Sequence, residues 1–276
     1  MNYKLLLLWL VSVVTVSAIG RYRHKEMINQ MAHEALVAIA QHKPETDPIF
    51  TTYQDTLSLY FGNLEQDLIK QYKHNFDNLQ TARDFDYFFS NAVTLRATLN
   101  KTAQRHAETF ASQGRQMHHA DWFEKMLPGM QLKVLNNGKN WAIFFDYDLL
   151  RQRAGQTDGS ADEAFFELMQ LCYDKQTQFP AWMARTPDQK LCSQLGKGTH
   201  LAILKQIDRA IASGNVFGNE LKKIKQMVMS DLLFTKNYCN PSLKALEEIK
   251  IISREITFPE KESEMIEQRI VALEAF

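Results

Sequence analysis

From Glu26 onward, apolar residues recur every three or four positions along most of the chain, the period of helices buried along one face. Residues 26–43 place Ile28, Met31, Ala32, Ala35 and Ile39 on one stripe, and Pro44 stops them. Asp47-Pro48 then reads as an N-cap followed by proline at the first helical position. The pattern Phe50, Tyr53, Leu57, Tyr60, Leu64, Leu68, Tyr72 predicts one long helix from Pro48 to about Asn78, with Gly62 inside it. Thr81 and Asp84 open a third helix as a capping box with Asp in place of Glu. Its inner face holds Phe85, Phe88, Phe89, Ala92, Leu99, Ala103, His106 and Phe110. Residues 26–114 therefore predict three antiparallel helices packed as a bundle, and 116–127 a short helical piece.

The period changes after Pro128-Gly129. "QLKVLNNGKNWAIFFDYD" alternates, is rich in β-branched and aromatic residues, and holds Asn137-Gly138, so it predicts a β-hairpin near 131–147. "RAGQTDGS" is a linker. Ser160 with Glu163 opens a helix whose buried stripe includes Phe165, Leu168 and Cys172. "QFPAWMARTPDQ" reads as a loop, and helices are expected at about 199–213, 219–236, 242–255 and 260–274. The fold class is mainly α, an N-terminal antiparallel helical bundle followed by a helical region with one β-hairpin. The expected division is 1–20, 21–128 and 129–276.

The opening stretch departs from this amphipathic pattern. Leu5 to Gly20 carries no charge and as a helix would span about 24 Å, short against a hydrocarbon core of about 30 Å. It reads either as a transmembrane anchor or as a signal peptide cut after Ala18. Lys4 before the run favours an extracytoplasmic body, periplasmic in a bacterium. Arg21, Arg23 and Lys25 behind it pull toward the cytoplasm.

Composition narrows the partners. Thirty-two basic residues balance thirty-two acidic ones, so no broad positive field exists to hold phosphates, and nucleic acid is not expected as a partner. The chain has three cysteines and no C-x-x-C. In an exported body Cys172 can bridge to Cys192, whereas on the apolar face of its helix Cys172 reads as a small hydrophobe.

Candidate chemistry is sparse. In "QMHHADW", His118 and Asp121 share a helix face while His119 turns away. His106 sits on the apolar stripe, able to complete a metal site or to serve as a core histidine. Asp146 and Asp148, two apart at a strand end, can do acid–base work or hold a cation, or can simply be a solvated strand end. "GKGTH" (196–200) precedes a helix, and its backbone N–H groups can hold an anion, although Walker spacing is absent. Asn100-Lys101-Thr102 has the form of a glycosylation acceptor within a helix. No nucleophile elbow, dinucleotide fingerprint, EF-hand or zinc-protease motif occurs, and no cofactor is expected.

Two functions are expected. One is a membrane-tethered or exported envelope protein that binds or scaffolds another envelope protein, with residues 5–20 meeting the membrane. The alternative is an enzyme or small-ligand or metal-binding protein with its site between bundle and hairpin.

Overall fold

The computed structural model describes residues 48–105, 121–135, 140–214 and 216–275. Two compact units divide the chain, Met1–Thr51 and Thr52–Phe276, and the account below concerns the second. The expected helix of residues 26–43 and the leader 5–20 lie outside the described residues. Among those residues no helix is long and apolar enough to cross a membrane.

The fold is mainly helical. Helix α1 (Pro48–Tyr60) is followed by α2 (Asn63–Asp77) and α3 (Ala82–Arg105). The seam from Pro48 to Asn78 is thus two helices, not the expected one, because Gly62 takes an extended conformation with ψ 168°. The Gly62 N–H donates to Glu65 Oε2 at 2.7 Å, and Thr102 of α3 donates to Glu65 Oε1 at 2.5 Å. One glutamate therefore starts α2 and fastens it to α3. Thr81 and Asp84 form the expected reciprocal cap, each side chain accepting from the other's backbone N–H, at 3.0 and 3.2 Å.

A short helix α4 (Asp121–Met126) leads into the hairpin of β1 (Met130–Leu135) and β2 (Asn140–Phe145), paired antiparallel from Met130↔Phe145 to Leu135↔Asn140. The Asn137-Gly138 turn itself lies outside the described residues. The hairpin packs on α3, and Asn100 of α3 fixes it there. Its amide donates to the Ile143 carbonyl at 3.0 Å and accepts from the Ile143 N–H at 2.8 Å. The would-be glycan acceptor is thus a clamp between helix and strand.

Helices α5 (Tyr147–Ala154) and α6 (Ala161–Cys172) follow, with α6 packed on α3, α5 and the next helix. Then come two three-residue strands, β3 (Met183–Arg185) and β4 (Leu191–Ser193), paired antiparallel where a loop was expected. The last four helices, α7 (Thr199–Ala212), α8 (Gly218–Phe234), α9 (Ser242–Glu255) and α10 (Glu260–Glu274), stand within two residues of their predicted bounds.

A core of phenylalanine rings joins the early and late helices. Phe165 of α6 stacks on Phe217 at 4.0 Å between centroids, and Phe89 of α3 meets Phe165 edge-on at 5.3 Å. Phe85, also of α3, lies 4.8 Å from Phe166. These rings are almost wholly buried, so this part of the aromatic stripe of α3 is packed core.

Candidate functional site

Of the His and Asp residues singled out from sequence, Asp146 and Asp148 are those whose side chains are described, and they do not come together. His106, His118 and His119 lie outside the described residues, and Asp121 is described only as the first residue of α4. Asp146 is the N-cap of α5. Its Oδ1 accepts from the Asp148 and Leu149 N–H groups at 3.1 and 3.0 Å, and its Oδ2 accepts from Gln131 at 2.5 Å. Asp148 faces the other way, toward Lys175 at 2.6 Å and Gln170 at 2.5 Å. Those contacts, led by the lysine hydrogen bond, hold its carboxyl below the usual range. The pair is split because the chain turns into a helix directly after β2, so the two-residue period of a strand no longer applies. Among the described residues no three His, Cys, Asp or Glu side chains gather as a metal site.

The disulfide is not the Cys172–Cys192 bridge that an exported body allowed. Cys192 of β4 is bonded to Cys239, with Cα atoms 5.2 Å apart. Cys172 is free and wholly buried, and burial pushes its thiol far up, so it packs as a small hydrophobe. The reason for the pairing is backbone stitching. Ser193 N–H donates to the Asn237 carbonyl at 2.8 Å, and Cys239 N–H donates to the Ser193 carbonyl at 2.9 Å. Residues 237–239 thus lie along β4 as a parallel partner and bring Cys239 beside Cys192.

The anion that the "GKGTH" amides can hold is supplied from within. Glu248 of α9, only 4% exposed, turns its carboxylate onto the loop. Its Oε2 accepts from the Gly196 and Gly198 N–H groups at 2.5 and 3.0 Å, and its Oε1 from the Leu201 N–H at 3.2 Å. Gly198 has φ 80° and Gly196 φ 92°, the left-handed turns that aim successive amides at one point. A side chain at Gly196 would meet Lys244 Cβ at 2.8 Å, so glycine is required there on two counts.

A feature that sequence reading missed lies next to this loop. An open groove of ≈ 770 Å³ runs between α8 and the segment 173–183. Its apolar wall includes Met169, Trp182, Met183, Ile224 and Met227, and its polar members include Glu220, Lys223 and Asp231. On α8 these recur at three- and four-residue spacing, which puts them on one face. Tyr173 also borders the groove, and burial pushes its hydroxyl up to about 12, so it stays protonated.

Asp231 connects the groove to a buried polar cluster. Its Oδ2 accepts from Ser193 Oγ at 2.5 Å and from His200 Nε2 at 2.8 Å. Ser193 and His200 are wholly buried, and the Asp231 side chain is 9% exposed. The order of contacts is not that of a nucleophilic triad. The serine hydroxyl is bonded to the carboxylate rather than to the imidazole, so the imidazole is not placed to take its proton. The arrangement fixes one carboxylate at the groove wall.

No protein-family model matches the chain, and searches of curated proteins and of solved structures find no match.

Proposed function

We propose that the chain is a membrane-tethered or exported helical envelope protein that binds or scaffolds another envelope protein. The groove between α8 and residues 173–183 is where it receives an apolar segment of that partner. The observation that carries this reading is the groove itself, with Met169, Met183 and Met227 beside Trp182 and Tyr173. Methionine is flexible and polarisable and adapts to many apolar surfaces. An open apolar cleft rimmed by polar groups is the usual form of a docking site. The Cys192–Cys239 bridge supports an oxidising compartment for the body, because structural disulfides persist there and are rare in a reducing cytosol. The enzymatic alternative between bundle and hairpin draws no support from Asp146 and Asp148, which are occupied as a helix cap and an ion pair.

The test starts with fractionation of cells expressing the full chain, N-terminal sequencing, and protease access from outside the inner membrane. A membrane-bound or exported body that protease reaches fits the proposal, and a protected body overturns its location. Gentle solubilisation should then yield a defined complex that Met227→Glu disrupts, since Met227 is 43% exposed and its replacement leaves the core intact. Recovery of the free monomer alone, or of a complex indifferent to this change, overturns the docking role.

A further inference from the structure

We infer that the groove takes an apolar peptide segment bearing a cationic side chain, lysine or arginine, whose charge docks on Asp231. The inference rests on the proposed docking role and adds the chemistry of the partner.

Charge at the groove is the first ground. Lys223 is paired with Glu220 at 2.6 Å, so these two neutralise each other. Asp231 has no such match. Arg269 is held by the Thr235 carbonyl and the Tyr238 hydroxyl instead of by the carboxylate. His200, the other described group against Asp231 Oδ2 besides Ser193, faces it with Nε2 at 2.8 Å. Among the described residues no lysine or arginine pairs with the Asp231 carboxylate at the groove wall.

Geometry is the second ground. Ser193 and His200 both bond to Oδ2, and Oδ1 accepts from no described residue. One oxygen is thus anchored and the other takes no hydrogen bond from a described residue, in a side chain that lines the groove and is 9% exposed. An anchored carboxylate flanked by methionines, tryptophan and isoleucine acts through few competing waters, which strengthens its pull on a cation. Lysine and arginine suit this site, because their stems lie along apolar surface while the head reaches the charge. The groove's ≈ 770 Å³ accommodates such a side chain with apolar neighbours.

The experiment is selection of a random decapeptide library on the full-length chain, counter-selected on the Met227→Glu protein. Enriched peptides are resynthesised with norleucine or glutamate in place of each lysine or arginine, and binding is read by fluorescence anisotropy at low and high salt. The expected result is enrichment of lysine or arginine beside Met, Leu or Phe. Norleucine should weaken binding about tenfold or more, as loss of a charge-assisted hydrogen bond implies. The difference should shrink in Asp231→Asn and in high salt. The peptide pairs decide the matter even where Asp231→Asn fails to fold. Enriched neutral peptides, or norleucine analogues that bind equally while Met227→Glu abolishes both, overturn the cation and leave the docking role standing. Absence of any Met227-dependent enrichment, or a dimer of the chain itself that Met227→Glu dissolves, overturns the inference as well. Loss of the docking role is read separately, from the complex recovered out of solubilised membranes.

Discussion

Glu248→Gln and Glu248→Ala ask how much of the stability rests on an internal anion. The carboxylate takes three backbone N–H donors, two from the loop before α7 and one from the first turn of α7, and it is nearly shielded from water. Glutamine keeps one oxygen in place of Oε2, so the Gly196 and Gly198 amides stay satisfied. Its NH2 group then faces the Leu201 N–H, and one donor is left without an acceptor. A charge-assisted bond contributes about 1.5–3 kcal/mol and a stranded buried donor costs about 1–3 kcal/mol, so Glu248→Gln should lose about 2 kcal/mol. Alanine strands all three donors. Their energies are not additive because two share one oxygen, and about 4 kcal/mol is the expected loss. At 2–4 °C per kcal/mol this is a fall in melting temperature of roughly 10 °C for alanine and half that for glutamine. Circular dichroism melts of the full chain read both. Inorganic phosphate should raise the melting temperature of Glu248→Ala by several degrees, by filling the vacated amides, and leave the wild type unmoved. Two variants that melt within about a degree of wild type would refute the reasoning, and so would equal phosphate stabilisation of all three proteins.

Other outcomes follow from neighbouring features. Reduction, or Cys239→Ser, opens a loop of sequence separation 47 and should cost about 4 kcal/mol in the chain-entropy account, seen as a lower urea midpoint. Native protein should meanwhile show no thiol to Ellman's reagent and unfolded protein one, because Cys172 is wholly buried. Asn100→Ala removes both bonds to Ile143 and should destabilise by about 2 kcal/mol, and peptide mapping should find Asn100 without a glycan. Burial, with a smaller contribution from Glu220, raises the carboxyl of Asp86. A raised folded-state value means the ionised group opposes folding above that value, and the opposition vanishes once pH falls below the unfolded one. Asp86→Asn should therefore stabilise slightly at neutral pH, with the gain fading in acid, as urea midpoints across pH 3–7 would show.

Local signals in the chain were readable where the structure itself is local. Thr81 and Asp84 cap α3 as the spacing requires, and the last four helices keep their periodic bounds because each buries one continuous stripe. The break at Gly62 was harder to see, since the apolar seam runs on across it and only the bond from Gly62 to Glu65 reveals a new start. The second hairpin escaped because three-residue strands carry almost no alternation, and their support comes from residues 237–239. The disulfide partner was equally hidden. Loop-closure entropy grows only slowly with length, so spacing alone barely separates a bridge to Cys172 from one to Cys239. Of the candidate site, the glycines around Lys197 announced an anion nest, but its occupant sits fifty residues away on α9. Asp231 stood in "MVMSDLLF" as a single acid among apolar residues. That is the signal that marks it, although nothing nearby in sequence names Ser193 and His200 as its partners.

The bridge from Cys192 to Cys239 also makes a closed ring of covalent bonds that contains α7, α8 and the turn between them. The ring cannot close until residue 239 has been made, so the wall bearing Asp231 is locked only after both α7 and α8 exist. Once closed, the ring survives a cut. A protease that nicks the connection between Ser213 and Phe217 would leave two pieces joined by sulfur, running as one band without reductant and as two with it.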